Sequence, residues 1–190
     1  MKKATHLAAQ AAGACALALG LLSSAQAVPS IKLSGTNTSA GFALTVSAQD
    51  VVDLYGYQFT VQFDPSLLTA TGSMEAGFLA SGGATDFAPG VIDNSAGSIS
   101  FVLGFLVGPV AGVSGSGDLA TFNFGVRQAG LASFSLSDVG LVDTNIATID
   151  VNVDNLVTAV PEPATYGLFA LGLVALLGAT RQRRPQAGAV

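Results

Sequence analysis

Tyr55, Tyr57, Phe59, Val61 and Phe63 occupy every second position of one stretch, and Gly56, Gln58, Thr60 and Gln62 fill the gaps. A period of two puts the large side chains on one face and the amides and hydroxyls on the other, so the stretch can fold only as a half-buried strand. The pattern recurs in Phe42, Leu44 and Val46; in Ile99, Phe101, Leu103 and Phe105; in Ala120, Phe122, Phe124 and Val126; in Phe134 and Leu136; and in Ile149, Val151 and Val153. Turn signals separate the runs: Asp64-Pro65, Gly82-Gly83, Asp93-Asn94, Gly115-Ser116-Gly117 and Gln128-Ala129-Gly130. No sustained helical period interrupts them. The expectation is an all-β sandwich of jelly-roll type. Its core should take the stripe Phe59, Phe63, Phe101, Phe105, Phe122 and Phe124, each worth roughly 1.5–3 kcal/mol on burial.

The chemistry open to such a domain is narrow. His6 and Cys15 are the single histidine and cysteine of the 190 residues, and both lie near the start of the chain. Residues 28–160 therefore hold no imidazole and no thiol, which excludes disulfides, Ser-His-Asp and Cys-His nucleophiles and ordinary zinc sites there. The same residues carry two cations, Lys32 and Arg127, against eleven acids, a side-chain charge of −9. A domain so acidic repels phosphate backbones, so nucleic acid is not an expected partner.

Other candidate motifs reduce to structure. Asp64, at the end of the strongest strand, should close a local turn by accepting backbone N–H groups. Asp150-x-Asn152-x-Asp154 imitates the start of a calcium loop. The required Gly and Glu are replaced by Asn155 and Pro161, so these residues read as the wet face of a final strand. Gly112-Val113-Ser114-Gly115-Ser116-Gly117 lacks the following helix and the lysine of a phosphate loop and reads as a flexible hairpin connection. Paired carboxylates for glycoside hydrolysis cannot be picked out, and Trp is absent. No catalytic, cofactor-binding or metal-binding residue is expected.

Both ends read as targeting segments. Lys2 and Lys3 precede an Ala- and Leu-rich run that ends in Ala25-Gln26-Ala27, the small-residue pattern of a signal peptide comprising residues 1–27 and cut after Ala27. Cys15 lies inside the apolar run rather than at its end, which does not fit a lipoprotein signal. At the other end Pro161-Glu162-Pro163 breaks any strand, and residues 164–180 are apolar and uncharged. Arg181, Arg183 and Arg184 follow. Seventeen residues reach about 25 Å as a helix, near the lower limit for a membrane span. The arginines favour the cytoplasmic side, leaving the β domain outside.

Pro161-Glu162-Pro163, the apolar segment and the basic cluster, in that order, resemble the PEP-CTERM sorting domain, here 159–184 with a tail of 185–190. The resemblance implies that an exosortase recognises Pro161, Glu162 and Pro163. It also implies an exported protein of a Gram-negative bacterium that makes exopolysaccharide, anchored first in the inner membrane and finally at the cell surface, in the outer membrane or outside the cell. The early strand ending in Phe63-Asp64-Pro65-Ser66-Leu67-Leu68, with Gly97-Ser98-Ile99-Ser100-Phe101 and Gly117-Asp118-Leu119-Ala120-Thr121-Phe122-Asn123-Phe124 after it, resembles the cohesin family over residues 28–158. That resemblance implies a nine-stranded jelly roll and a dockerin-like partner held on one sheet face. No contact residue carries over, because cohesin contacts follow no motif.

The function expected is a non-catalytic binding or adhesion module with a carbohydrate or protein partner, associated with exopolysaccharide or biofilm matrix. The alternatives are a structural matrix protein without a discrete ligand and a carbohydrate-active enzyme.

Overall fold

The computed structural model describes residues 28–160. The signal residues Ala25 and Ala27, the sorting residues Pro161, Glu162, Pro163, Arg181, Arg183 and Arg184, and the apolar segment 164–180 lie outside the described residues. Within them, no helix is long and apolar enough to cross a membrane.

The first strands are β1 (Ser30–Thr38), β2 (Gly41–Leu54), β3 (Gly56–Phe63) and β4 (Leu68–Glu75). A four-residue helix α1 (Gly77–Ala80) follows, then β5 (Thr85–Asp93), β6 (Ser98–Leu106), β7 (Val113–Val126), β8 (Gly130–Val142), β9 (Asn152–Val153) and β10 (Leu156–Val160). They form two five-stranded sheets, β4-β7-β2-β1-β9 and β10-β8-β3-β6-β5. Every pairing is antiparallel except the short β1–β9 contact. The expected nine strands become ten because β9 adds two residues to the edge of β1.

The core lies between the sheets, where inward positions of β2, β3, β7 and β8 supply an aromatic stack. Phe42 and Phe134 stack at 5.3 Å between centroids, and Phe124 meets Phe63 and Phe134 edge-on at 5.1 and 5.5 Å. Such pairs add about 0.5–1.5 kcal/mol to the area they bury. Tyr57 stacks on Phe59 and donates its phenol across the core to the Leu119 carbonyl at 3.0 Å. Burial, with the Glu75 carboxylate nearby, pushes that phenol well above its usual range. Gly104 faces Tyr57 across the β3–β6 pair, and a Cβ there would lie 2.7 Å from the ring.

Side-chain links join the edge strands β4 and β5, which belong to different sheets. Thr85 Oγ1 donates to Glu75 Oε2 at 2.8 Å, and Ser73 Oγ donates to the Pro89 carbonyl. Just beyond β5, Asn94 takes the Ala70 N–H at 2.7 Å and returns its own Nδ2–H to the Ala70 carbonyl at 3.1 Å. The sandwich thus has two poles. The C-terminal pole holds the end of β10 and the turns after β1, β3, β5 and β7; the N-terminal pole holds Pro29 and the connections before β7 and after β8.

Two readings of the sequence need correction. Residues 113–117 are strand, not a flexible connection: Val113, Gly115 and Gly117 pair with Leu54, Val51 and Ala48 through a bulged register. The glycine that suggests a loop serves packing, since a Cβ on Gly117 would lie 2.5 Å from the Phe78 ring of α1. The final strand is β10 rather than the run containing Asp150, Asn152 and Asp154. Those three residues are exposed, and the N–H groups of Asn152 and Asp154 bond to the carbonyls of Pro29 and Ile31 at the edge of β1.

Candidate functional site

The outer face of the β8–β3–β6 region departs from the regular pleat, and the cause lies in its two bulges. On one side of β3, Phe59 pairs with Val102 but Val61 pairs with Ile99, so β6 carries one extra residue. On the other side, Gln58 pairs with Gly140 but Thr60 with Ser137, so β8 does too. The bulges flank Phe59 and Thr60 from both sides. Each contains a non-glycine residue in the left-handed region, Phe101 at φ 59° and Asp138 at φ 53°. For a residue as large as phenylalanine that backbone costs about 1–2 kcal/mol.

An extra residue reverses which face the following side chains take. Upstream of the β6 bulge Ile99 points inward; downstream Val102, Gly104 and Leu106 do. Phe101, Leu103 and Phe105 are therefore turned outward, contrary for Phe101 and Phe105 to their expected place in the core, and Phe101 is 76% exposed. Phe105 lies flat against the backbone of β3, where Gly56 leaves room for it: a Cβ there would lie 2.2 Å from the ring.

Two adjoining shallow grooves result. The first, of about 260 Å³, is lined by Gln58, Thr60, Gln62, Phe101, Leu103 and Asp138 among others. The second, of about 250 Å³, shares Gln58 and is bounded by Phe105, Gly140 and Thr148. Asp138 is the one charged side chain of these linings, and its Oδ2 accepts a long bond of 3.3 Å from Ser137. The surface is thus aromatic and aliphatic at its centre, surrounded by amides and hydroxyls. It suits a neutral partner that can stack on a ring and exchange hydrogen bonds.

Three other acids hold loops. Asp64 Oδ1 accepts the N–H and hydroxyl of Ser66 at 2.8 and 2.6 Å, as its turn position implied, and these bonds draw its carboxyl below the ordinary value. Asp53 accepts the Thr144 hydroxyl at 2.6 Å and the Gly112 N–H at 3.0 Å, and Thr144 chiefly accounts for its lowered pKa. Asp93 is lowered by the N–H groups of Ala96 and Ser95. Among the described residues no three acidic, histidine or cysteine side chains converge on a metal position.

Sequence reasoning missed Phe101, Phe105 and Asp138 as surface residues. A signal was present: Val102 and Leu106 are as apolar as Phe101 and Phe105, so β6 has two apolar phases and alternation alone cannot choose between them.

Comparison with known proteins agrees with the fold. The cohesin domain model matches residues 29–158, and the PEP-CTERM protein-sorting motif matches 159–184. No curated protein matches the chain. Among solved structures, a non-cellulosomal cohesin from Archaeoglobus fulgidus superposes with a TM-score of 0.53 at 15% identity, covering 70% of this chain and 91% of that one. A cohesin module of a family 33 glycoside hydrolase from Clostridium perfringens gives 0.56 at 9% identity, covering 70% and 96%. A chain of a type I cohesin–dockerin complex from Clostridium thermocellum gives 0.54 at 10% identity, covering 68% and 96%. Cohesin modules are non-catalytic binding domains, and the sorting motif marks exported proteins directed to the cell surface with exosortase processing. This chain belongs to the cohesin family, its cohesin domain followed by a PEP-CTERM sorting motif.

Proposed function

We propose that this protein is an adhesion module of the extracellular matrix of a Gram-negative bacterium, holding its partner on the outer face of β8, β3 and β6. The domains are a signal peptide of residues 1–27, the cohesin domain 28–158 and the sorting segment 159–184. In this reading an exosortase recognises Pro161, Glu162 and Pro163, with Arg181, Arg183 and Arg184 holding the cytoplasmic end of the anchor until the protein reaches the surface.

The observation that carries the reading is Phe101. A large ring that is 76% exposed on a left-handed backbone costs the fold energy and returns little burial. Such a residue fits binding: a rigid anchor at the centre of a groove, ringed by hydrogen-bonding groups. The partner chemistry it supports is a dockerin-type module presenting an apolar surface, or a neutral polysaccharide chain lying across the ring.

Capture from spent medium and cell envelope with the exported protein as bait, followed by titration of the captured partner, tests this. Phe101→Ala should weaken binding roughly thirtyfold, corresponding to about 2 kcal/mol at a central anchor. Protease treatment of the captured material separates a protein partner from a polysaccharide one. Undiminished capture by the variant would remove the face from consideration and leave a matrix protein without a discrete ligand.

A further inference from the structure

The sheet that carries the grooves has a separate apolar feature at its β8–β10 edge. Leu131 is 73% exposed and Val157 67% exposed. Leu131 pairs with Ala159 and Ser133 with Val157, so the two large side chains are diagonal neighbours on the outer face. The inward residues of the same strands, Ala132, Phe134 and Val160, are buried.

The position of this patch in the chain sets what can cover it. β10 runs to Val160, whereas the sorting-motif match begins at Ala159, so folded ladder and motif overlap without a spacer. Pro161, Glu162 and Pro163 alone separate Val160 from the uncharged apolar segment 164–180. Four residue steps reach at most about 14 Å, so the C-terminal pole cannot stray far from that segment. Charge points the same way. Asp64 and Asp93 are the acids of this pole; each is bonded within its own turn, and Arg127 belongs to the β7–β8 turn of the same pole. The other nine acids lie along the middle of the sandwich or at the N-terminal pole, where an anionic surface would repel them.

We propose that Leu131 and Val157 rest on the lipid interface and seat the C-terminal pole against the bilayer while the anchor is in place. This rests on residues 164–180 entering the membrane. The chain has no tryptophan, so one introduced residue reports alone. The full chain carrying Val157→Trp, or Leu131→Trp as an independent second reporter, is reconstituted into phosphatidylethanolamine–phosphatidylglycerol vesicles with and without brominated acyl chains. Bromine should quench either reporter at least about twofold. Ser95→Trp, in an exposed turn of the same pole, should be quenched much less, and Leu131→Asp should abolish quenching of Trp at 157 while the protein still sediments with vesicles. Equal quenching at 95 and 157 would reduce the effect to mere proximity and overturn the proposal. Sedimentation without quenching would overturn it and leave the anchor reading intact, whereas failure to sediment would overturn both. A blue shift that follows protein concentration in detergent would assign the patch to a second copy of the chain instead.

Discussion

Asp53, Asp64 and Asp93 each use a carboxylate to tie backbone that no strand ladder reaches. All three pKa values are lowered from 3.8 by the bonds their charged forms accept. A carboxyl whose folded pKa lies below its unfolded one stabilises the fold above the unfolded value and loses that contribution as pH falls through the folded value. Urea midpoints should therefore hold steady from about pH 7 to about pH 5 and fall below about pH 4. The triple variant D53N/D64N/D93N should start lower and show a shallower acid slope; an identical slope would mean that these turns do not couple to folding. Phe101 calls for the opposite test. Phe101→Gly exchanges a left-handed phenylalanine for a residue at ease there and should leave unfolding free energy unchanged or up to about 1 kcal/mol higher. A loss beyond about 1 kcal/mol in urea titrations would show that the ring packs for stability rather than for a partner.

At the scale of elements, legibility in the sequence followed the regularity of the pleat. β3 alternates along its whole length and was plain, as was the turn at Asp64. β6 misleads a local reading because its bulge reverses the phase halfway, and both phases are apolar. The register against β3 decides the faces, and register is a long-range property that no local window contains. The glycine run from 112 to 117 suggested a loop because its purpose, space for Phe78, lies on another element. The candidate site was the least legible part for the same reason: it exists only where two bulges from distant strands flank a third. Two substitutions examine this packing. Gly104→Ala pushes a methyl group against Tyr57 and should cost about 1–3 kcal/mol by urea titration. Asn94→Ala leaves the Ala70 N–H and carbonyl without their side-chain partner and should cost about 1–3 kcal/mol; a neutral result would show that water replaces the amide there.

At the scale of the whole molecule the side-chain charge of −9 on residues 28–160 is a self-repulsion that the fold must tolerate. Raising sodium chloride from about 0.01 M to about 0.15 M shortens the screening length from roughly 30 Å to roughly 8 Å, so the melting temperature should rise. A melting temperature that fell or did not change would mean that local attractions outweigh the net repulsion. The direction of β10 has a mechanical consequence as well. This strand lies against β8 and ends at the C-terminal pole, so tension applied at Val160 along the strand strains its ladder bonds in shear, all together. A cell tugged against whatever its surface grips would load these bonds in parallel instead of opening them like a zip.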